Sequence, residues 1–242
     1  MESSISSAFA GSGKATRPDH LVLRLMTADD KDGVAALFTE TFEREPLGEY
    51  HGVGVSEGQA IAQASIEDPV SFVVEDTALE GPHRLIAFRT SCIYTAAKLD
   101  MNQKKIQEEG GASDAVQAIL NRMQDLWLKK TAVFESNPEA RIMKFIALGV
   151  DLRYEGMGLA KELLNAAMDK AKEMRCDAVI VVASAFATQH LFRNRLGFQE
   201  MARLRYADFT WTNKNGIKER PFEKLVEPEF LLSFEMKLTY DR

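Results

Sequence analysis

Residues Arg153-Tyr154-Glu155-Gly156-Met157-Gly158-Leu159-Ala160 have the types and spacing of a ligand-holding turn. They follow an alternating apolar run that ends at Val150 and precede an amphipathic run that begins near Met157, so they read as a strand-to-helix turn. Small residues let a ligand come close to the backbone, and the first N–H groups of a helix have no partner within it. Orphan donors and the partial positive charge of a helix start together suit a phosphate or diphosphate. The same residues would also serve a tight turn that merely packs. A dinucleotide-type Gly-x-Gly-x-x-Gly turn is excluded because Lys161 stands where the third glycine belongs, and no Gly-Lys-Ser/Thr follows. Cys92 and Cys176 lie far apart among apolar residues and form no Cys-x-x-Cys pair, which reads as two reduced, buried thiols. The four histidines fall in no ligand pattern, so no metal is expected.

The elements that must position this turn can be read on either side of it. Leu21, Leu23 and Leu25 alternate as a first strand. Thr27 offers a helix cap with Asp29 and Asp30 behind it, and the helix runs on through Val34, Leu37, Phe38 and Thr41 until Glu45-Pro46 stops it. A second helix is expected over 57–66, and strands over 71–75 and 85–94. Between Ala96 and Ser136 lies a helical insert. Its start is Ser113-Asp114, and Val116, Ile119, Leu120, Met123 and Trp127 form one apolar stripe. A strand over 142–150, a helix over 157–174 and a wholly apolar strand over 178–183 then make a crossover unit with parallel strands. A short helix over 188–195 and strands over 197–206 and 230–238 complete the chain.

The 242 residues suit one domain, expected over residues 19–242 behind a Ser/Gly/Ala-rich disordered tail over 1–18. A net charge of −6 argues against nucleic acid, which needs a concentrated basic face, and suits a cationic substrate. No apolar run approaches the roughly 20 residues of a membrane-spanning helix. A cytoplasmic setting, no membrane partner and a monomer are the expectations.

With Arg153-x-x-Gly156-x-Gly158 matching Gln/Arg-x-x-Gly-x-Gly/Ala, and Leu196-Gly197-Phe198 following at the expected distance, the chain resembles the GNAT superfamily of acetyl-CoA-dependent acetyltransferases. Within it, the chain is most similar to the invertebrate arylalkylamine (dopamine-type) enzymes. Glu45-Pro46-Leu47, the pair Ser184 and Thr188, and Arg205-Tyr206-Ala207-Asp208-Phe209 carry that narrower match. The resemblance implies an α/β fold with a central mixed twisted sheet of about six to seven strands flanked by helices, and a helical insert before the central strand. It implies acetyl-CoA as acyl donor and a small-molecule amine as acceptor. Leu148, Gly149 and Val150 would pair with the pantetheine arm, and the N–H groups of Arg153, Tyr154, Glu155, Gly156, Met157, Gly158, Leu159 and Ala160 would hold the diphosphate. Glu45 would be the general base, with Ser184 and Thr188 lining the transfer site.

That chemistry has physical grounds. An alkylamine arrives as an ammonium of pKa near ~10 and must lose a proton before it attacks a thioester, which a carboxylate of raised pKa can accept. The tetrahedral oxygen needs a preorganised donor, for which the Val150 N–H is the simplest choice. Three departures stand out. Phe192 occupies the place of a tyrosine general acid, Glu155 stands where arginine is common, and Leu191–Arg195 is one residue longer than in the insect enzymes. A polyamine, an amino acid or a lysine side chain is the alternative acceptor, and a non-catalytic acyl-CoA-binding module the alternative class.

Overall fold

The computed structural model describes residues 18–52, 54–108, 112 and 114–240. The tail expected over 1–18 therefore falls, Pro18 apart, outside the described residues. Seven strands form one mixed sheet: β1 (Leu21–Leu25), β2 (Phe72–Asp76), β3 (Leu85–Tyr94), β4 (Ile142–Val150), β5 (Ala178–Ala183), β6 (Gln199–Arg205) and β9 (Phe230–Lys237). Between the last two, β7 (Trp211–Thr212) and β8 (Lys218–Glu219) make a small ribbon that the sequence pattern does not announce. The spatial order is β1-β2-β3-β4-β5-β9-β6, and only β4 and β5 run parallel.

The helices are α1 (Lys31–Phe42), α2 (Pro46–His51), α3 (Val55–Ala64), α4 (Ala96–Glu108), α5 (Ala115–Leu128), α6 (Val133–Ser136), α7 (Leu159–Glu173) and α8 (Phe186–His190). α7 packs on one face of the sheet, where Leu159, Leu163, Leu164 and Ala167 meet Met143, Phe145, Val179 and Val181. On the other face α1 and α3 cover the β2–β4 half, and α4–α6 cover the β5–β9 half. The insert before β4 is thus three helices. Among the described residues, no helix is long and apolar enough to cross a membrane.

Two local departures from regular structure shape the site. β4 pairs with β5 only from Ile142↔Ala178 to Phe145↔Val181, after which the two strands part. At that point β4 carries a bulge: Ser91 faces Phe145 while Thr90 faces Ala147, which leaves Ile146 as the extra residue. Ile146 and Ala147 consequently pack on the same face, toward α1, while Leu148 and Val150 return to the α7 face.

Pro46 also does more than stop α1. Glu45 is extended (φ −78°, ψ 149°), as the residue before a proline prefers, and Pro46 opens α2 at its first position. The glutamate is thereby held between two helices rather than trailing from one. The stripe on α5 divides as well. Ile119, Met123 and Trp127 are buried, whereas Val116 and Leu120 are only half-buried.

Candidate active site

Where β4 and β5 separate, a groove of about 680 Å³ opens, walled by Leu148, Gly149 and Val150, the turn after β4, and Thr188 and Leu191 of the segment after β5. The orientation of the β4 edge follows from its pairing. Asp151 N–H donates to Ile86 O at 2.8 Å, which makes that opposed pair a hydrogen-bonded one. By alternation, Gly149 also turns its polar groups to β3, while those of Leu148 and Val150 point into the gap. An extended amide-bearing arm laid there would find strand-like partners at Leu148 and Val150. Gly149 serves differently: an added Cβ would lie 2.4 Å from the Phe88 ring and 2.8 Å from Thr41 Oγ1.

The turn divides into used and unused donors. Arg153 N–H is bonded to Asp151 Oδ1 at 2.9 Å and Tyr154 N–H to Asp151 O at 2.8 Å, so both are consumed in building the turn. Glu155 and Met157 donate in longer contacts to Leu152 O (3.3 Å) and Tyr154 O (3.4 Å). Gly156, Gly158, Leu159 and Ala160 N–H have no partner among the described residues. Gly156 and Gly158 have φ of +79° and +82°, a conformation that disfavours any side chain. The expected cradle of eight N–H groups is therefore narrower. Arg153 and Met157 do not line the groove, and the Arg153 guanidinium pairs with Asp151 at 2.6 Å, facing a separate cleft beside His83. Glu155 does line it, together with Lys161.

A second cavity, of about 440 Å³, lies on the opposite face of the sheet. Phe38, Phe42, Leu47, Ile61, Val116, Leu120, Ile146, Ala147, Val182 and Leu231 make its wall apolar, and Glu45, Glu57, Asp114 and Ser184 supply most of its polar groups. α5 forms one side and is pinned at its far end. Trp127 Nε1 and Thr131 Oγ1 donate to buried Glu235 Oε2 at 2.7 and 2.9 Å, and Gln124 Oε1 accepts from Tyr94 OH at 2.8 Å.

Glu45 borders both spaces. Ser184 Oγ donates to its Oε2 at 3.2 Å across 139 residues of sequence. Burial pushes the Glu45 carboxyl above its ordinary value, and the Ser184 hydrogen bond opposes that shift without cancelling it. The structure thus brings Glu45 and Ser184 together. Thr188 stands on the groove wall, within α8. Phe192, where a tyrosine acid would stand, is a core residue. It packs edge-on to Phe198 at 4.9 Å and near-parallel to Phe234 at 6.4 Å, and is 1% exposed. The stretch after α8, Leu191–Arg195, forms one π turn, with Leu196 N–H donating to Leu191 O at 3.1 Å.

The sequence pattern marks no role for Glu57 or Asp114 in the apolar cavity. Asp114 reads only as a helix cap, which it also is, accepting from Gln117 N–H at 2.7 Å. Tyr206 is completely buried behind Leu47 and Leu231, its hydroxyl has no partner among the described residues, and burial followed by the Glu45 charge raises its pKa. Cys92 and Cys176 are free thiols pushed up to about 11 by burial, which disfavours the nucleophilic thiolate.

Residues 131–198 match the Acetyltransferase (GNAT) family. No curated protein matches the sequence significantly. The fold is similar to that of arylalkylamine N-acetyltransferase 2 from Aedes aegypti, with a TM-score of 0.71 and 20% identity over 91% of this chain and 100% of that one. It is also similar to the Drosophila melanogaster polyamine N-acetyltransferase that forms N-acetylagmatine (TM-score 0.67, 17% identity, 90% and 100% covered). An agmatine N-acetyltransferase variant in its apo form gives 0.69 at 18% identity, with 91% and 100% covered. At these identities the likeness is one of fold.

Proposed function

Since the chain carries a GNAT acetyltransferase domain, we propose that it transfers an acetyl group from acetyl-CoA to the primary amine of a small arylalkylamine. The observation that carries this reading is the position of Glu45 on the wall common to the split-strand groove and the apolar cavity. Both substrates can then be held at once, one in each space, and react directly where the spaces meet.

Acetyl-CoA supplies the thioester. Leu148 and Val150 present backbone partners to its arm, and the N–H groups of Gly156, Gly158, Leu159 and Ala160 face the diphosphate at the start of α7. Glu45 takes the proton from the acceptor ammonium, for which its raised pKa suits it. Ser184 orients the carboxylate. The Val150 N–H, turned into the gap, is available to the oxygen on which charge develops. The Thr188 hydroxyl on the groove wall stands in for the missing tyrosine in meeting the departing sulfur. An aromatic acceptor suits the walls formed by Phe38, Phe42, Val116, Leu120 and Leu231.

A second reading rests on Glu57 and Asp114 in the same cavity, whose carboxylates favour an acceptor with a second cation, as in a polyamine or an aminoalkylguanidine. The purified protein, acetyl-CoA and a mixed amine panel, followed by thiol release and product mass, separate the two. Preference for aromatic monoamines supports the first reading. Preference for dications replaces it with the second. Binding of acetyl-CoA without turnover of any amine, lysine peptides included, would sink both.

A further inference from the structure

One hydrogen bond ties the diphosphate turn to a distant part of the sheet. Tyr154, inside the turn, donates its hydroxyl to Asp76 Oδ2 at 2.6 Å. Asp76 is the last residue of β2, 78 positions earlier, and is 4% exposed. Its other oxygen accepts from Ala78 N–H at 2.9 Å, so the carboxylate is itself fixed before it receives the phenol. The Tyr154 hydrogen bond also holds the Asp76 carboxyl below its ordinary range, so the acceptor is ionised wherever the protein is at neutral pH. Meanwhile the Tyr154 N–H is held by Asp151 O, which fastens the residue at both backbone and ring.

The need for such a strut arises from the glycines. Gly156 and Gly158 give the turn its close approach to a ligand, but a glycine backbone has more conformational freedom to lose than any other. Between Val150 and α7, Asp151 is tied to β3 through its backbone, and Tyr154 reaches β2 through its side chain. Arg153, its neighbour, pairs with Asp151 two residues away, a contact within the turn that adds no such anchorage.

We propose that Asp76 and Tyr154 are positioning residues for the diphosphate of the acyl donor: their hydrogen bond holds the four free N–H groups of the turn in register before the donor arrives. Neither side chain touches the reacting atoms. The proposal rests on the reading of the groove as a CoA site and assigns part of that affinity to a residue on β2 that belongs to no motif.

The test compares two donors in one variant. Tyr154→Phe removes the hydroxyl and keeps the ring, so its packing is retained. With acetyl-CoA its KM rises about tenfold while kcat is largely kept, as expected for one lost charge-assisted hydrogen bond that sets binding geometry. With S-acetyl-N-acetylcysteamine, a thioester lacking the diphosphate, the same variant loses less than about twofold in kcat/KM. Asp76→Asn, which can still accept the phenol proton, falls between wild type and Tyr154→Phe. Adding Asp76→Asn to Tyr154→Phe costs little further KM, because the two residues act as one unit. Equal losses with both donors would overturn the strut and leave the groove assignment standing. If CoA fails to bind the wild-type protein in calorimetry, where no amine is needed, the groove assignment itself falls and the strut with it.

Discussion

The groove after β4 and the cavity beneath α5 meet at Glu45 yet are made of different material. The groove is backbone: two strand residues facing a gap, four unused N–H groups and two glycines at positive φ, nearly all within Leu148–Ala160. The cavity is side chain, gathered from α1, α2, α3, α5, β4, β5 and β9. A backbone site needs particular residue types at short spacing, because only they permit the conformation, and so it leaves a local signature. A side-chain site needs only that certain groups converge, and the convergence is written in the packing of the whole sheet.

The residue shared by the two spaces gives the most severe test. Glu45→Ala should lower kcat by about 100-fold or more, the usual range for a lost general base, with little change in CoA affinity measured by calorimetry. The pH profile carries the sign. Glu45 must be ionised to accept a proton, and its pKa lies above the ordinary carboxylate value, so kcat/KM should rise with pH through a limb displaced upward from that value. That limb should vanish in the variant. Retention of both limb and rate would remove Glu45 from the chemistry.

Next in size is a change confined to the backbone-built side. Gly158→Ala forces a side chain onto φ +82°, a strain of about 1–2 kcal/mol. Since an added Cβ meets nothing within 4 Å, the penalty is conformational and not steric. The expected outcome is a lower melting temperature together with weaker CoA binding, while the ranking of amines stays that of wild type. A changed amine ranking would mean that groove and cavity are not separable.

The smallest effect is expected from Ser184→Ala. Its hydrogen bond lowers the Glu45 pKa against the pull of burial, so removing it should move the acid limb of kcat/KM further up. A hydrogen bond from a neutral donor to a charged group, worth about 1.5 kcal/mol at the low end, corresponds to a shift of roughly one pH unit. A limb that moves down instead would mean that Ser184 does not stabilise the carboxylate.

Legibility in the sequence divides along the same line. β3, β4 and β5 have the bounds their patterns predict, because long apolar runs flanked by turn residues leave little choice. Gly156 and Gly158 are visible because a backbone site restricts residue type. Arg153 and Met157 belong to the same motif and yet do not face the groove, since which N–H groups a turn uses internally depends on Asp151, whose carboxylate folds back on it. The double duty of Pro46, ending one helix and starting the next, is half legible. Its effect on the preceding residue is a local rule, but the geometry that sends Glu45 toward Ser184 is tertiary. Glu57 and Asp114 lie on ordinary-looking segments. Nothing within a few residues of either of them distinguishes a cavity wall from a core or a surface.

The bulge at Ile146 bears on how this architecture tolerates insertions and deletions. A strand assigns its side chains to faces by parity, and here one supernumerary residue resets the parity midway. Remove the codon for Ile146 and the strand would simply lose its bulge. Ala147 would follow Phe145 directly opposite Thr90, Leu148 and Val150 would keep the α7 face, and Gly149 would keep its place against Phe88 and Thr41. β4 therefore has one residue to spare at this point, whereas a length change elsewhere in the strand would have to be taken up by a new bulge or would swap the faces that line the groove.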